Sequence, residues 1–587
     1  MPSLSETLSQ LAGAAFAAEG LDPNFGAVQR SDRPDLAQFQ CNGALAAAKA
    51  AKLNPRAVAE KVAARLKGDP RFAKVEIAGP GFLNLTLTDA ELTAGLRVAA
   101  TDPRCGVEKR ARPQTVIVDF VGVNIAKAMH VGHLRSTIIG DSLQRLFRFA
   151  GDTVYSDVHF GDWGLQMGQL ISELAREKPE LPYFNPAFTG PYPAQSPVTM
   201  EDLELLYPRA SAASKTIPER LEEARRATAD LQNHRPGYFA LWKHFQTVSI
   251  EGVKRELASL GVHPDWWKGE SDADPLVDEM VADLEKRGLA VESEGALVVH
   301  IGEETDKKDM PPLIVRKSDG GALYETTDLA TIVDRVRTAD PDLILYVVDQ
   351  RQGDHFEKVF RGARKAGLNG KAVLDHIGFG TVNGTDGRPF KTRDGGTLKL
   401  FDLIEQAQAE ARARLEEHGL GAEYPETERA EIARQVGLAA IKFADLSTYR
   451  VTNYVFDLKR FTRFEGETGP YLQYQAVRIK SLLRKAADAG YADAPLTISS
   501  DSERQLALAL LRLPDAVALA QTRRAPNVLC DHAFEVAQAY SRFYGEHHIM
   551  SMNDAALRGG KLALCRAVLS QLTLVLGLLG IEVPERM

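Results

Sequence analysis

Two histidines, His130 and His133, stand one helical turn apart in NIAKAMHVGHLRSTIIGD, residues 124–141, where a helical pattern begins. Two imidazoles at this spacing suit four roles: a metal clip, a proton shuttle, a structural pair, or hydrogen-bond donors to a phosphate chain. A metal pair needs a third ligand, for which the sequence indicates no candidate. Residue types alone leave the other three roles open.

A second pair of reactive side chains stands at helical spacing further along. The segment ALYETTDLATIVDRV predicts a helix that places Tyr324 and Asp328 at i and i+4, on one face. A phenol hydroxyl and a carboxylate placed this way suit one shared ligand, and a planar, permanently charged guanidinium is best met by a fixed carboxylate. The alternative is a surface tyrosine beside an exposed aspartate.

The elements around the histidines predict a nucleotide-binding sheet. TVIVDF, residues 115–120, is a β-branched run suited to a buried parallel strand; a loop, the helix LRSTIIGDSLQRLFRFAG and a second strand around DTVYSDV follow it. This βαβ order places HVGH at the carboxyl edge of the sheet, where ligands bind in open α/β folds. Backbone N–H groups at the helix start favour an anion, and Gly132 permits close approach of a flat group.

The chain, at 587 residues, is long enough for several domains. We predict an α/β multidomain fold: a small N-terminal α+β domain at 1–108, a Rossmann-like parallel-sheet core at 109–395 with an insertion at about 175–300, a helical connecting region at 396–455, and an all-α domain at 456–587. The strand-like LILYVV near 343–348 resumes the sheet after the insertion.

Composition limits the location of the protein. Hydrophobic residues make up 44% and charged residues 26%, as in ordinary globular proteins. The four cysteines are scattered without a CxxC pair, which argues against a disulfide framework or a zinc ribbon. No uncharged apolar run approaches about 18 residues, and the N-terminus lacks a basic region before its first acidic residues. We therefore expect a cytoplasmic protein without membrane contact. The net charge of -8 gives no global sign of nucleic-acid binding.

The flanks of the histidine pair carry a family resemblance. NxAKxxHxGHLRSTIIGD resembles the HIGH signature of class I aminoacyl-tRNA synthetases, and of arginyl-tRNA synthetases in particular. HFGDWGLQMGQLI, SDGGALYETTDLAT, YVVDQRQGDHF, GRPFKTRDGGTLKL, FEGETGPYLQYQAVR and the terminal GIEVPERM follow in the order typical of that family. A lone HxGH is weak evidence because other nucleotidyltransferases carry it, whereas six ordered segments across most of the chain are strong evidence.

The resemblance implies an arginine–tRNA ligase. Such an enzyme activates L-arginine with ATP, which Mg²⁺ accompanies, and passes arginine to the 3′-terminal ribose of tRNA(Arg); a monomer is expected. It implies that His130 and His133 hold the ATP phosphates while Gly132 faces adenine. For the amino acid, it implies contacts from Asp119, Asn124, His159, Tyr324, Asp328 and Gln352. His159 has an alternative as a structural bracket beside Trp163.

For tRNA, the resemblance points to both ends of the chain. It makes the C-terminal helices an anticodon-binding domain, with Tyr474, Tyr540 and the terminal Met587 near the anticodon. Aromatics with nearby cations stack on splayed bases, yet the same spacing describes an ordinary bundle core. The N-terminal unit, which contains QFQCNGALA, is similar to the family's domain that reaches the tRNA elbow.

The chain departs from the family pattern at three places, of which the first two are expected to alter affinity at most. Val121-Gly122-Val123-Asn124 stands where Ser-x-Pro-Asn is common, and Val158 stands where an asparagine is often found. The third lies in FKTRDG, residues 390–395, where Thr392 occupies the place of the second lysine of the KMSKS signature. We expect Lys127 to supply the missing charge, with Lys391 and Arg393 acting from this loop; the alternative for Lys127 is a solvated loop lysine.

Two other functions compete with the ligase. A small-molecule nucleotidyltransferase that shares only the HxGH fold has no use for a long helical C-terminal domain. A non-enzymatic tRNA-binding paralogue is expected to have lost the phosphate-binding residues, which this chain retains.

Overall fold

The structure, a computed structural model, describes residues 3–33, 35–318, 320–384, 387 and 398–587. The chain divides into two units, each built from segments distant in sequence. Unit 1 comprises Met1–Lys109, Ala411–Phe443 and Phe461–Met587; unit 2 comprises Arg110–Glu410 and Ala444–Arg460. The N-terminal and C-terminal parts thus share unit 1, and the predicted catalytic core lies in unit 2.

The N-terminal part of unit 1 is a small α+β arrangement. Its strands are β1 (Val28–Arg30), β2 (Phe39–Cys41), β3 (Phe72–Ala78) and β4 (Phe82–Leu87), and its helices are α1 (Leu4–Ala17), α2 (Gly43–Ala51), α3 (Pro55–Leu66) and α4 (Asp89–Thr101). The strands form an antiparallel sheet in the order β1-β2-β4-β3. Gly79 and Gly81 join β3 to β4 with φ of 51° and 148°, a conformation that favours glycine.

Unit 2 contains ten strands in its described part. They are β5 (Thr115–Phe120), β6 (Thr153–Phe160), β7 (Trp266–Gly269), β8 (Ala290–Ser293), β9 (Ala296–Val299), β10 (Leu313–Arg316), β11 (Leu343–Tyr346), β12 (Val373–His376), β13 (Val382–Asn383) and β14 (Tyr454–Val455). Five form a parallel sheet in the order β12-β11-β5-β6-β7. Because β5 is central and covered on both faces, every residue after its first is buried.

Helices lie between these strands along the chain and after them; those at 400–417 and 426–446 belong partly or mostly to unit 1. They are α5 (Val131–Phe149), α6 (Leu165–Glu177), α7 (Met200–Thr216), α8 (Pro218–Gln232), α9 (Pro236–Ser259), α10 (Glu270–Lys286), α11 (Tyr324–Ala339), α12 (Gly353–Ala366), α13 (Leu400–Glu417), α14 (Glu426–Leu446) and α15 (Leu458–Phe461). The predicted βαβ unit is β5-α5-β6. The predicted fold class, a parallel-sheet core with a small α+β part and a helical C-terminal part, is confirmed.

The segment predicted as an insertion, about 175–300, is not inserted as a whole. Helices α7 to α9 lie outside the sheet, but β7 from the same segment is an edge strand of the central sheet and pairs with β6 from Asp157 to Phe160. The sequence prediction missed β7 because WWKG is short and carries no alternation of polar and apolar residues.

The C-terminal helices of unit 1 are α16 (Gly469–Asp488), α17 (Asp501–Leu510), α18 (Leu513–Arg523), α19 (Asn527–Glu546) and α20 (Ala555–Leu578). Among the described helices, α20 alone is long and apolar enough to cross a membrane. Most of α20 is buried against its neighbours, and its Lys561 forms a buried ion pair with Glu503 of α17. These are features of a bundle core helix.

Candidate active site

The two histidines stand side by side at the start of α5. His130 is the residue before the helix, and its Nδ1 accepts a hydrogen bond from the Gly132 N–H at 3.0 Å. Nδ1 of His133 accepts from the His130 N–H at 3.1 Å, and the two rings stack with centroids 3.9 Å apart. Since both Nδ1 atoms are acceptors, each neutral imidazole carries its proton on Nε2. The pair therefore offers two Nε2–H donors.

The lowered pKa values of His130 and His133 restrict the roles that the two imidazoles can take. Burial, followed by the positive charge of Lys127, lowers the pKa of His130. Burial, His130 and Lys127 together lower the pKa of His133 to about 3. A histidine that stays neutral down to this pH is a poor proton shuttle. In the part of the chain that the structure describes, no group of three or more metal-binding side chains is found. Hydrogen-bond donation to an anion remains as the chemistry that this geometry favours.

Gly132 is required by the His130 ring. A Cβ at position 132 would lie 2.6 Å from Cε1 and 2.7 Å from Nδ1 of His130. Such distances force the ring out of its place, and with it the hydrogen bond that sets the tautomer.

Replacing Gly132 with alanine is therefore expected to slow ATP-dependent amino-acid activation by about 10- to 100-fold through the displaced donor. Single-turnover adenylate formation is the measurement. Gly545→Ala is the matched control, because nothing lies within 4 Å of a Cβ at that position. An unchanged rate in Gly132→Ala would show that His130 does not act from the observed position.

The loop with Lys391 and Arg393 lies outside the described residues, but its two flanks are described. After the loop, Lys399 forms a β-bridge with His130; the Val131 N–H donates to the Leu398 carbonyl at 3.1 Å, and the Leu400 N–H donates to the Met129 carbonyl at 3.0 Å. The C-terminal end of the loop is thus hydrogen-bonded to the histidine segment itself.

The other flank is fixed by a buried arginine of α5. Arg135 is 1% exposed, and its Nε contacts Asp445 at 3.1 Å. Its Nη1 donates to the carbonyls of Gly380 at 3.0 Å and Thr452 at 2.9 Å, next to β13 and β14. Breaking a buried pair of this kind is costly because one charge is left uncompensated. Arg135 therefore ties the histidine helix to the start of the loop.

A carboxylate that the sequence analysis did not single out, Glu270, lies at the carboxyl end of β7. Burial and the nearby charges of Asp162 and Asp328 raise its pKa to about 7, against a backbone hydrogen bond from Trp163. A Cβ at Gly161 would lie 2.2 Å from Asn124 Oδ1 and 3.8 Å from Glu270 Oε1. Asn124 and Glu270 therefore flank the same glycine, and Glu270 is a candidate for binding a cation.

The predicted helix with Tyr324 and Asp328 is α11. Asp328 accepts a hydrogen bond from His355 Nε2 at 2.6 Å, and this contact raises the pKa of His355. Tyr324 begins the helix and is 68% exposed. Its pKa is raised by partial desolvation, then by Glu270 and Tyr207. Gln352 is exposed and precedes α12, the helix of His355. Sequence spacing gave no sign of His355, whose contact with Asp328 crosses 27 residues.

His159 is a half-buried histidine whose ring is open to a further hydrogen-bond partner. In the described part of the chain, neither ring nitrogen of His159 has a hydrogen-bond partner, although both are buried. Burial raises the pKa of Asp119 and of Asp162, and the nearby His159 ring offsets part of this rise in both carboxyls. Buried polar atoms are rarely left unpaired, so His159 is a candidate for ligand contact. Its expected role, and those of Asn124 and Gln352, stay predictions.

Asp119 already has a partner inside the protein. Asp119, Asp157 and Tyr346 occupy paired positions on β5, β6 and β11, so their side chains point to one face of the sheet. Arg335 of α11 covers this row: its Nη2 lies 2.6 Å from Asp119 and 2.7 Å from Asp157. Burial, partly offset by Arg335, raises the pKa of Asp119. A contact of Asp119 with the amino acid stays a prediction. The Asp119 carboxylate is already paired with the Arg335 guanidinium.

The predicted tRNA-binding residues of unit 1 differ in exposure. Tyr540 is 0% exposed, and its ring packs against Phe543 and Tyr544 in the bundle core, so it presents no face to a base. Tyr474 is half-buried, 6.0 Å from the Phe464 ring. Met587 packs with Tyr424 and Phe464 against the cluster that contains Ile432 and Val436. The anticodon roles of Tyr474 and Met587 stay predictions, and the predicted role of Tyr540 is limited to packing beneath that surface.

Comparisons with known proteins assign the family. Residues 99–458 match the family model for the catalytic domain of tRNA synthetases class I (R), residues 3–87 that for the arginyl tRNA synthetase N terminal domain, and residues 472–587 that for the DALR anticodon binding domain. The chain belongs to the arginyl-tRNA synthetase family. The predicted family and enzyme class are confirmed.

Relatives and solved structures agree with this assignment over the whole length. The arginine–tRNA ligases of Maricaulis maris (strain MCS10) and Hyphomonas neptunium (strain ATCC 15444) are 56% and 53% identical to this arginyl-tRNA synthetase family member, with 100% of each chain covered. The arginyl-tRNA synthetase structures from Plasmodium falciparum and Thermus thermophilus match with TM-scores of 0.83 and 0.80 at 24% identity, again over 100% of both chains. These structures support the fold.

Proposed function

We propose that this chain is an arginine–tRNA ligase that activates L-arginine with ATP and transfers it to tRNA(Arg). One observation carries the proposal: the start of α5 presents two neutral imidazoles with Nε2–H donors, and the carboxylates Glu270 and Asp328 lie close enough together for Asp328 to raise the pKa of Glu270. The carboxylates suit a guanidinium, and the imidazoles suit a phosphate chain. Neither competing function uses both.

In the first step, the carboxylate of arginine attacks the α-phosphorus of ATP and pyrophosphate leaves. The protein contributes position and charge rather than covalent chemistry. His130 and His133 donate hydrogen bonds to the phosphates, and Lys127 meets the negative charge that grows on pyrophosphate. Mg²⁺ enters with ATP as part of the substrate, held by phosphate oxygens.

In the second step, the 3′-terminal ribose hydroxyl of tRNA(Arg) takes the arginyl group and AMP leaves. The matched DALR domain is the proposed site of anticodon contact, with the half-buried Tyr474 and the terminal Met587 as its candidate residues. Tyr540 supports this surface from the core. We expect the enzyme to act as a monomer in the cytoplasm, without a membrane.

The pocket makes arginine binding depend on pH. Glu270, with its pKa raised to about 7, is protonated in half of the free molecules at that pH, whereas a bound guanidinium favours the ionised form. Arginine binding near pH 7 is therefore expected to release about half a proton, and its affinity to fall by roughly 30-fold between pH 8 and pH 5.5. Calorimetry in buffers of different ionisation enthalpy measures both effects.

Glu270→Gln is the variant that assigns this pH dependence. It is expected to bind arginine more weakly at every pH and to lose most of the pH dependence. Any pH dependence of arginine affinity that remains in this variant is attributed to protonation of His355, whose pKa is raised by Asp328 and which gains charge as the pH falls. A Glu270→Gln profile parallel to that of the parent would remove Glu270 from the pocket.

A further inference from the structure

Lys127 contacts an aromatic ring on α7, a helix outside the central sheet. The Nζ of Lys127 lies 4.7 Å from the ring centroid of Tyr207, a half-buried residue of α7. In the described part of the chain, no carboxylate lies within ion-pair distance of this ammonium. A cation over an aromatic face is attracted by the ring quadrupole. The ring therefore holds the ammonium without cancelling its charge.

The distinction between a ring and a carboxylate matters for the proposed chemistry. A carboxylate at this place would fix Lys127 equally well, but it would offset the positive charge that the leaving pyrophosphate needs. The charge of Lys127 is indeed felt locally, because it contributes to the lowered pKa of both His130 and His133. Tyr207 thus fixes the position of Lys127 and leaves its charge available.

The helix that carries Tyr207 is itself fixed to the same site. Glu204, three residues earlier on α7, contacts Lys399 Nζ at 2.6 Å. Lys399 is the residue that bridges His130 through its backbone. Residues three apart on a helix share a face, so α7 meets the phosphate site at two points on one face. Tyr207 also lies close enough to Tyr324 to affect its phenol: burial and Glu270 raise the pKa of Tyr324 most, and Tyr207 raises it further.

We propose that Tyr207 is a positioning residue for amino-acid activation: its ring seats the Lys127 ammonium at the phosphates while leaving its charge unpaired. This inference rests on the proposed role of Lys127. It gives α7, outside the central sheet, a part in the first step of the reaction that acts through Lys127.

The test is a double-mutant cycle on adenylate formation in the full-length enzyme with tRNA(Arg) present. Tyr207→Leu is expected to slow the single-turnover rate by about 10-fold, with the KM for ATP within about 2-fold of the parent. Tyr207→Phe keeps the ring and is expected to retain most of the rate. In the Lys127→Ala background, Tyr207→Leu is expected to cost nothing further.

Tyr238→Leu is the matched control, because it removes a ring that holds Arg235 with the cation 4.0 Å from the centroid, elsewhere in unit 2. Its rate is expected to equal that of the parent. Additive effects of Lys127→Ala and Tyr207→Leu, or a Tyr207→Phe variant as slow as Tyr207→Leu, would overturn the positioning role alone. A normal rate in Lys127→Ala would overturn the role of Lys127 and the inference together.

Discussion

Replacing Lys127 with alanine is expected to slow arginyl-adenylate formation by about 100-fold or more, with the affinities for arginine and tRNA little changed. The reason is the negative charge that develops on pyrophosphate, because loss of a transition-state donor costs ~3 kcal/mol or more. The KMSKS-like loop has Thr392 where a second lysine is typical, so one positive charge is missing there. Lys127 lies beside the histidine pair with its ammonium unpaired by any described carboxylate, and is placed to supply that charge.

Single-turnover kinetics with saturating ATP and arginine separate this effect from binding. Lys254→Ala is a suitable control, since Lys254 also lies over an aromatic ring, that of Trp267 at 4.9 Å, but is exposed on α9. A Lys127→Ala rate within about 3-fold of the parent would refute the assignment and transfer the role to Lys391.

Asp328→Asn is expected to weaken arginine binding by ~2 to 5 kcal/mol while the fold and ATP binding are maintained. Asparagine has the shape of aspartate and still accepts a hydrogen bond from His355, so the packing of α11 against α12 survives. The guanidinium, in contrast, loses one of the two carboxylates proposed to bind it and retains only Glu270.

Calorimetric titration with arginine measures this loss directly. Asp334→Asn provides the control on the same helix, because the Asp334 carboxylate is already paired with Lys268 at 2.5 Å. Arginine affinity that is the same in Asp328→Asn and in the parent would exclude Asp328 from the pocket.

Local patterns predicted the framework of the site well. TVIVDF, the helix after HVGH and the strand DTVYSDV appear as β5, α5 and β6, because short β-branched runs on either side of a long segment without proline favour the order strand, helix, strand. The spacing of Tyr324 and Asp328 likewise survives, since both residues lie within one helix and their relation depends on helical geometry alone.

Partners that come from distant segments left no such signal. Glu270 follows a strand of four residues inside a segment predicted as an insertion, and the contact of Asp119 with Arg335 crosses 216 residues. Nothing local distinguishes an aspartate that awaits a ligand from one already paired with a buried guanidinium. For the same reason, the helical spacing of Tyr540 fits a base-stacking surface and a bundle core alike, and only packing shows that its ring lies in the core.

The central claim, that this chain joins arginine to tRNA, is tested most directly by an aminoacylation assay with omissions. The purified chain is incubated with labelled arginine, ATP and tRNA(Arg), and each component is left out in turn. We expect acid-precipitable arginyl-tRNA only when all three are present, with one AMP formed for each arginine attached. ATP cleavage without arginyl-tRNA, or faster charging with lysine than with arginine, would contradict the account.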